Sequence, residues 1–243
     1  MVDKELLPLF CECFPDTVNE AEIILGLAEK QGKIHKKHIN GVLASVICTS
    51  PIKDRDFCAE YIFACGTKPE FRGKGLFRNQ LDKVIGEKAA ILIPENEGLF
   101  AMYERLGFKT VYCLKAHFGG SGIFCSATAE SAINAYKNAC LFPKKSGLML
   151  ESAIKAFLSY GNEIKKCGDA VLLMQGGVAT EIFAKSESEM LSAAKVCETA
   201  LLPLSMKSLL ERENIKYEIT KLASAKNIPD EVLQRIFINN LFN

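Results

Sequence analysis

The sequence has few histidines, little net charge and no paired cysteine motif, and each of these absences argues against a class of protein. Among its 243 residues there are three histidines, and the formal net charge is only +1. This charge balance excludes the dense basic surface of a nucleic-acid-binding protein. The ten cysteines include no Cys-x-x-Cys pair, and their spacing predicts neither a zinc site nor a disulfide framework.

Long apolar runs are also missing. No window approaches the roughly 18 apolar residues of a membrane span, and the charged N-terminus predicts no signal peptide. We therefore expect a cytoplasmic protein with reduced thiols, which uses no metal and has neither nucleic acid nor a membrane as partner.

The composition is typical of a globular protein, with 49% hydrophobic and 24% charged residues. Its first half predicts the order α-α-β-β-β-α-β-α-β, which is an α/β (α+β) fold with a mixed sheet and flanking helices. A glycine-rich segment at 119–122 predicts a boundary between a domain at 1–118 and a second, smaller α/β region at 123–243. This region also opens with two helices and a hairpin, so the halves are candidate repeats.

Local patterns predict further details. Asn40-Gly41 suits a type I′ hairpin turn, and Gly176-Gly177 gives a second two-residue hairpin signal. In the second half we expect one helix over about 148–166 and another from Ser186 to about Leu201.

The stretch from Thr67 to Arg78 is the most informative for function. A predicted strand ends there, a basic glycine turn follows, and a helix begins. Glycine lets several backbone N–H groups converge, and the first amides of a helix are unpaired and carry partial positive charge. Such a turn favours a phosphate or pyrophosphate. The alternative is that Gly73 and Gly75 only make a tight connection, and the turn matches neither the P-loop nor the Rossmann spacing.

The run Arg72-Gly73-Lys74-Gly75-Leu76-Phe77 resembles the R/Q-x-x-G-x-G/A acetyl-CoA motif of the GNAT superfamily of N-acetyltransferases. About 25 residues later, the stretch from Ile93 to Phe108 resembles the second signature of that superfamily. There an asparagine-containing loop leads into a helix with a tyrosine ahead of a Leu-Gly-Phe turn. The resemblance covers roughly residues 5–118 and implies a GNAT-type fold and acetyl transfer from acetyl-CoA to a primary amine.

Phe77 departs from the small residue usual at the end of the first motif. With a bulky residue at this position, the motif resembles that of the intracellular-survival-type acetyltransferases. Those enzymes carry a further GNAT-like region. This chain is too short to hold their whole architecture.

The resemblance implies a role for each matching residue. Tyr103 is the expected general acid, because a phenol with a pKa near about 10 is protonated at neutral pH and can donate to the departing thiolate. Asn96 is expected beside the cofactor arm, with a helix cap as its alternative role. The other expected cofactor-binding residues are Cys65, Gly66 and Thr67 for the pantetheine arm, and Arg72, Gly73, Lys74, Gly75, Leu76, Phe77 and Arg78 for the pyrophosphate.

The general base is left open by the sequence. Glu60 lies where this superfamily sometimes has a base, but it also fits a solvent-facing carboxylate at a strand end. The C-terminal carboxylate of Asn243 and a water-mediated base are the other candidates. Cys65 is interpreted as a buried strand thiol and not as a nucleophile.

Two other functions stay open. One is a GNAT fold that binds an acyl-CoA without transfer, and the presence of Tyr103 favours the enzyme. The other is transfer of a longer acyl group, which a wider pocket beyond Cys65 and Gly66 would indicate. The acceptor and the oligomeric state are not predicted. No second glycine turn is present after residue 123, so we expect that half to bind no coenzyme A. We expect it to shape the acceptor site.

Overall fold

The computed structural model describes residues 5–14, 18–31, 33–53, 57–120, 122–140 and 147–235. The first half has the element order that its sequence predicts. Its helices are α1 (Leu6–Cys13), α2 (Val18–Gln31), α3 (Leu76–Ile85) and α4 (Glu97–Arg105). Its strands are β1 (Ile34–Ile39), β2 (Val42–Lys53), β3 (Cys58–Thr67), β4 (Ala90–Leu92) and β5 (Lys109–His117).

The second half is described from residue 122. Its helices are α5 (Ala129–Asn138), α6 (Gly147–Ser159), α7 (Glu187–Ala194), α8 (Lys207–Arg212) and α9 (Asp230–Arg235). Its strands are β6 (Cys125–Ser126), β7 (Glu163–Cys167), β8 (Ala170–Gln175), β9 (Val178–Phe183), β10 (Thr199–Pro203) and β11 (Lys216–Lys226). In the described residues, no helix is both long and apolar enough to cross a membrane.

Both hairpin predictions are confirmed, because Asn40 and Gly41 have φ of 49° and 79° and Gly176 and Gly177 have φ of 55° and 84°. These are the left-handed conformations that a type I′ turn requires at both central residues.

Two helix predictions in the second half are wrong in their extent. The helix expected over 148–166 ends at Ser159, because Gly161 adopts a left-handed φ of 75° and the chain continues as β7. The helix from Ser186 ends at Ala194, and Leu201 lies in β10. In both segments, pairing with neighbouring strands determines that the chain forms a strand after the helix. The local periodicity of the sequence does not reveal such pairing.

All eleven strands form one mixed sheet in the order β1-β2-β3-β4-β11-β5-β10-β9-β8-β7-β6. Residues 1–118 and 123–243, which the sequence separates into two domains, therefore share a continuous sheet. The last strand of each half lies between the last two strands of the other half. Strand β11 pairs with β4 and β5, and β5 pairs with β11 and β10.

The two halves repeat one pattern of strands. Strands β3 and β4 are parallel with α3 between them in sequence, and β9 and β10 are parallel with α7 between them. Each repeat also has one bulge at the same place. Phe63 is the extra residue where β3 pairs with β2, and Thr180 is the extra residue where β9 pairs with β8. The structure thus supports the repeat suggested by the sequence.

Helices cover the first repeat on two sides. Helices α1 and α2 pack over a buried cluster that includes Leu25, Val46 and Ala64. On the other side, α3 and α4 cover Ile62, Leu92 and neighbouring apolar side chains. The gap between β3 and β4 therefore lies between two helical layers.

Candidate active site

The glycine turn connects β3 to α3 as an open, left-handed segment. Gly73 and Gly75 have φ of 74° and 71°, and a Cβ at either position would meet nothing within 4 Å. Gly75 is the N-cap of α3 and supplies no capping side chain. The first amides of α3 are therefore left without intrahelical partners, in a turn with room for an anion.

Three cations surround this turn and are held by backbone carbonyls. Arg72 Nε donates to Thr67 O at 2.8 Å, Lys74 Nζ to Glu70 O at 2.9 Å and Arg78 Nη2 to Arg105 O at 3.2 Å. Among the described residues, no carboxylate forms an ion pair with any of the three. Their positive charge is available to phosphate groups.

Strands β3 and β4 separate just beside the turn. They pair only from Glu60–Ala90 to Ile62–Leu92, while β3 continues to Thr67. Within the part of the chain that the structure describes, the edge of β3 that faces away from β2 therefore has no strand partner over residues 63–67. The bulge at Phe63 falls at the start of this open edge, where it redirects the backbone amides. An extended ligand can pair with such an edge as an added strand would.

Tyr103 lies on α4 and points at the open edge. The side chain is buried and packs edge-on against Phe77 and Phe108, with ring centroids 6.1 Å and 5.4 Å away. Its hydroxyl faces the Cys65 thiol, and the two groups affect each other's pKa. Burial raises the pKa of Tyr103 well above its ordinary value, and burial raises the pKa of Cys65 to about 12.

A groove of about 490 Å³ joins these features. We call it the cofactor groove. It is lined by Cys13, Phe14, Cys65, Thr67, Phe71, Arg72, Gly73, Gly75, Leu76, Phe77, Glu95, Leu99, Met102 and Tyr103. The groove thus runs from the glycine turn to the hydroxyl of Tyr103.

Two further cavities open near its inner end. The first, of about 230 Å³, extends towards the closed end of the β3–β4 gap, and we call it the apolar cavity. The second, of about 330 Å³, includes residues of the second repeat, and we call it the mixed cavity. The mixed cavity is lined by Ile93, Pro94, Glu95, Phe100, Gln175, Leu201, Lys221 and Leu222.

Glu95 lines the cofactor groove and both cavities. No other described residue is common to all three. It follows Pro94 immediately after β4, so the end of this short strand directs the carboxylate to the junction. Glu95 was not among the residues predicted from the sequence, although its position just before Asn96 in the second motif is a usable signal.

The structure brings together most of the residues expected at the cofactor. Cys65, Thr67, Arg72, Gly73, Gly75, Leu76, Phe77 and Tyr103 line the cofactor groove, and Lys74 and Arg78 lie in or directly after the turn. Gly66 serves packing as well, because a Cβ there would lie 2.8 Å from Leu9 Cδ2 of α1.

Two expected residues, Asn96 and Glu60, have other positions or contacts. Asn96 caps α4, with Oδ1 accepting from Leu99 N at 3.1 Å, so it has the alternative role that the sequence left open. Glu60 forms a 2.8 Å ion pair with Lys33 and lines neither the groove nor the two cavities. Its position at the paired start of β3 keeps it from the open edge. Asn243, the other candidate base, lies outside the described residues.

The second repeat has no equivalent glycine turn. Only residues 184–186 connect β9 to α7, whereas residues 68–75 connect β3 to α3. Ser186 caps α7 by accepting from Glu189 N at 3.2 Å, so an amide that is free in α3 has a partner in α7. That this half binds no coenzyme A stays a prediction, and this difference between the two connections agrees with it. In the described residues, no group of three or more His, Cys, Asp or Glu side chains could hold a metal ion.

Comparison with known proteins gives a fold but no sequence relative. No family model matches the chain, and no curated protein matches it. Solved structures do match, however, and those described below are acetyltransferases of the GNAT type or candidates for that activity. The chain has the GNAT fold, and the fold expected from the two motifs is confirmed.

Three of these structures illustrate the match. Eis1 from Mycobacterium abscessus superposes with a TM-score of 0.62 at 11% identity, over 91% of this chain and 69% of that one. A GCN5-related N-acetyltransferase from Kribbella flavida gives 0.62 at 14% identity, over 91% and 68%. A candidate acetyltransferase from Pyrococcus horikoshii gives 0.57 at 8% identity, over 99% and 92%. Eis1 is of the intracellular-survival type, so the likeness to that type is confirmed as one of fold.

Proposed function

We propose that the protein is an N-acyltransferase that moves the acetyl group of acetyl-CoA, or the acyl group of another acyl-CoA, to a primary amine. The observation that carries this proposal is the continuous groove from an uncapped, glycine-lined helix start to a buried tyrosine hydroxyl. Solved structures with the same fold and named as GCN5-related N-acetyltransferases support it.

The turn suits the pyrophosphate of coenzyme A. Free first-turn amides of α3 and the side chains of Arg72, Lys74 and Arg78 supply hydrogen bonds and positive charge. The open edge of β3 can pair with the amide groups of the pantetheine arm. Amides redirected by the bulge at Phe63 can donate to the thioester carbonyl oxygen as it gains negative charge.

In the reaction the amine nitrogen attacks the carbonyl carbon, and the carbon–sulfur bond breaks. Tyr103 then gives its proton to the departing thiolate and regains one from solvent. A phenol of raised pKa is a weak acid, but the same buried place raises the pKa of the Cys65 thiol to about 12. A thiolate formed beside Tyr103 is therefore also a stronger base than in water, which offsets part of the lost acidity of the phenol.

We assign to Glu95 the roles of binding the amine and accepting its proton. Its carboxylate lies at the junction of the cofactor groove and the mixed cavity, where it can attract an ammonium ion and accept the proton that the amine loses. In this proposal residues 1–118 carry the catalytic groups, and residues 123–243 shape the acceptor side through Gln175, Leu201 and Lys221. All ten cysteines are free, which supports a reducing, cytoplasmic setting.

Calorimetric titration of acetyl-CoA into the purified protein tests the cofactor site. We expect one site per chain, and we expect Gly75→Glu to weaken binding at least about 100-fold because it adds a negative charge beside the phosphates. Gly168→Glu is the matched control, since Gly168 is also left-handed and open but lies in the β7–β8 turn. Absence of binding by the unmodified protein would remove the basis of the proposal.

Steady-state kinetics with an amine acceptor test the assignment of Glu95. Glu95→Gln should raise the KM for the amine and lower kcat while the affinity for acetyl-CoA stays the same. Glu87→Gln, at an exposed position outside the groove and both cavities, is the control. If Glu60→Gln lowers kcat more than Glu95→Gln does, Glu60 and not Glu95 is the general base.

A further inference from the structure

The apolar cavity has a wall of hydrophobic side chains at the closed end of the β3–β4 gap. Ile62 and Leu92, the last residues that pair between the two strands, both line it. Phe10 and Ile24 from α1 and α2 cover it on one side, and Leu99 of α4 lies on the other. Its remaining lining residues are Phe14, Phe63, Ala64, Cys65, Ile93, Pro94, Glu95, Tyr103 and Tyr160.

This cavity is continuous with the cofactor groove. Phe14, Cys65, Leu99 and Tyr103 line both spaces, together with Glu95. In the proposed function the thioester lies beside Cys65 and Tyr103, where the two spaces meet. A chain attached to the thioester carbonyl can therefore enter the apolar cavity directly from the groove.

Most of the side chains that line the cavity are hydrophobic, and the polar ones are Glu95, Tyr103 and Tyr160. Glu95 is its one charged lining residue and is exposed, while Ile62 and Leu92 at the far end are almost fully buried. The same carboxylate borders the mixed cavity, which also contains Lys221 and Gln175. An amine held by Glu95 thus has a separate, more polar space for the rest of its structure. The apolar end is left to the acyl chain.

From this arrangement we infer that the preferred donor carries an acyl chain longer than acetyl, of roughly four to eight carbons, and that this chain occupies the apolar cavity. The length follows from about 230 Å³ of space and roughly 30 Å³ for a group the size of water. The inference rests on the proposed acyltransferase function and specifies its donor.

Calorimetry with acetyl-, butyryl-, hexanoyl- and octanoyl-CoA, without acceptor, tests it on the full chain. Each methylene that leaves water should increase the affinity about fourfold until the cavity is full. Ala64→Val and Ala64→Leu place bulk in the wall of the cavity, so they should reduce this gain stepwise. Their affinity for acetyl-CoA and their unfolding temperature indicate whether the site and the fold are intact.

The possible outcomes separate the inference from the proposed function. Binding of acetyl-CoA with an affinity that does not rise with chain length would overturn the inference and leave the function standing. No binding of any acyl-CoA would overturn both. If the KM of alkylamines falls with alkyl length while the affinity of acyl-CoA does not change, the cavity belongs to the acceptor and the inference is wrong. A chain-length gain that survives unchanged in a folded Ala64→Leu variant also contradicts it.

Discussion

The hydroxyl of Tyr103 faces the thiol of Cys65, across the gap between α4 and the open edge of β3. Both side chains line the cofactor groove and the apolar cavity. A sulfur atom therefore already lies beside the proposed proton donor. The Cys65 thiol indicates how a second sulfur, that of coenzyme A, would meet the same hydroxyl.

Replacing Tyr103 with phenylalanine removes only the hydroxyl from a ring that packs between Phe77 and Phe108. We expect kcat for acyl transfer to fall by about 10²–10⁴, the usual contribution of general acid catalysis, while acyl-CoA affinity is preserved. Calorimetry and a thiol-release assay measure the two quantities. Tyr112→Phe, at an exposed site on β5, should leave both unchanged. Unchanged turnover in Tyr103→Phe would assign proton donation to another group.

Alkylation of the cysteines tests the environment of Cys65. Because burial raises its pKa to about 12, only about one thiol in 10⁴ is ionised at pH 8. The exposed Cys11, Cys58 and Cys125 should react with iodoacetamide well before it, as followed by mass spectrometry. The rate at Cys65 should increase about tenfold per pH unit up to pH 10. Modification of Cys65 ahead of the exposed thiols would show that its site is open and polar.

Two glycine substitutions should have opposite effects on stability. Gly66→Ala places a Cβ 2.8 Å from the buried Leu9, so we expect a loss of about 1–3 kcal/mol in the free energy of unfolding. Gly26→Ala lies inside α2 with no atom within 4 Å of the new Cβ, and it should gain up to about 1 kcal/mol. Thermal unfolding of both variants measures the difference. A stable Gly66→Ala protein would show that α1 can move away from β3.

The exchange of strands predicts that the two halves do not fold separately. A fragment of residues 1–118 lacks β11, which lies between β4 and β5 in the intact sheet. We expect this fragment to be aggregated or unfolded by circular dichroism and size-exclusion chromatography, because β4 loses one strand partner and β5 loses both. Addition of a fragment of residues 119–243 during refolding should restore the fold. A folded, monomeric 1–118 fragment would contradict this prediction.

The sequence predicts the first half well because its signals are local. Asn40-Gly41 determines a hairpin by backbone conformation alone, and the glycines at 73 and 75 define a turn that the structure reproduces. The motif containing Tyr103 likewise lies within one loop and one helix. Glycine chemistry and helical periodicity act over a few residues, so a single sequence is enough to read them.

Features that depend on distant parts of the chain were missed. Strands β6, β7 and β10 have weak local patterns and exist because neighbouring strands pair with them. The role of Glu95 becomes visible only when the end of β4 meets surfaces from both repeats. Nothing near Lys216 in the sequence indicates that this strand pairs with His117. Such contacts are a property of the tertiary structure.

Insertion of β11 between β4 and β5 also has a consequence for how the protein matures on the ribosome. Strand β4 contributes Leu92 to the wall of the apolar cavity, yet its second neighbour is synthesised about 130 residues later. Contacts so distant in sequence form slowly, because a long loop must close before they contribute. Strand β4 is therefore paired on both edges only after residue 226 has left the exit tunnel, so a prematurely terminated chain would lack this fixed wall of the apolar cavity.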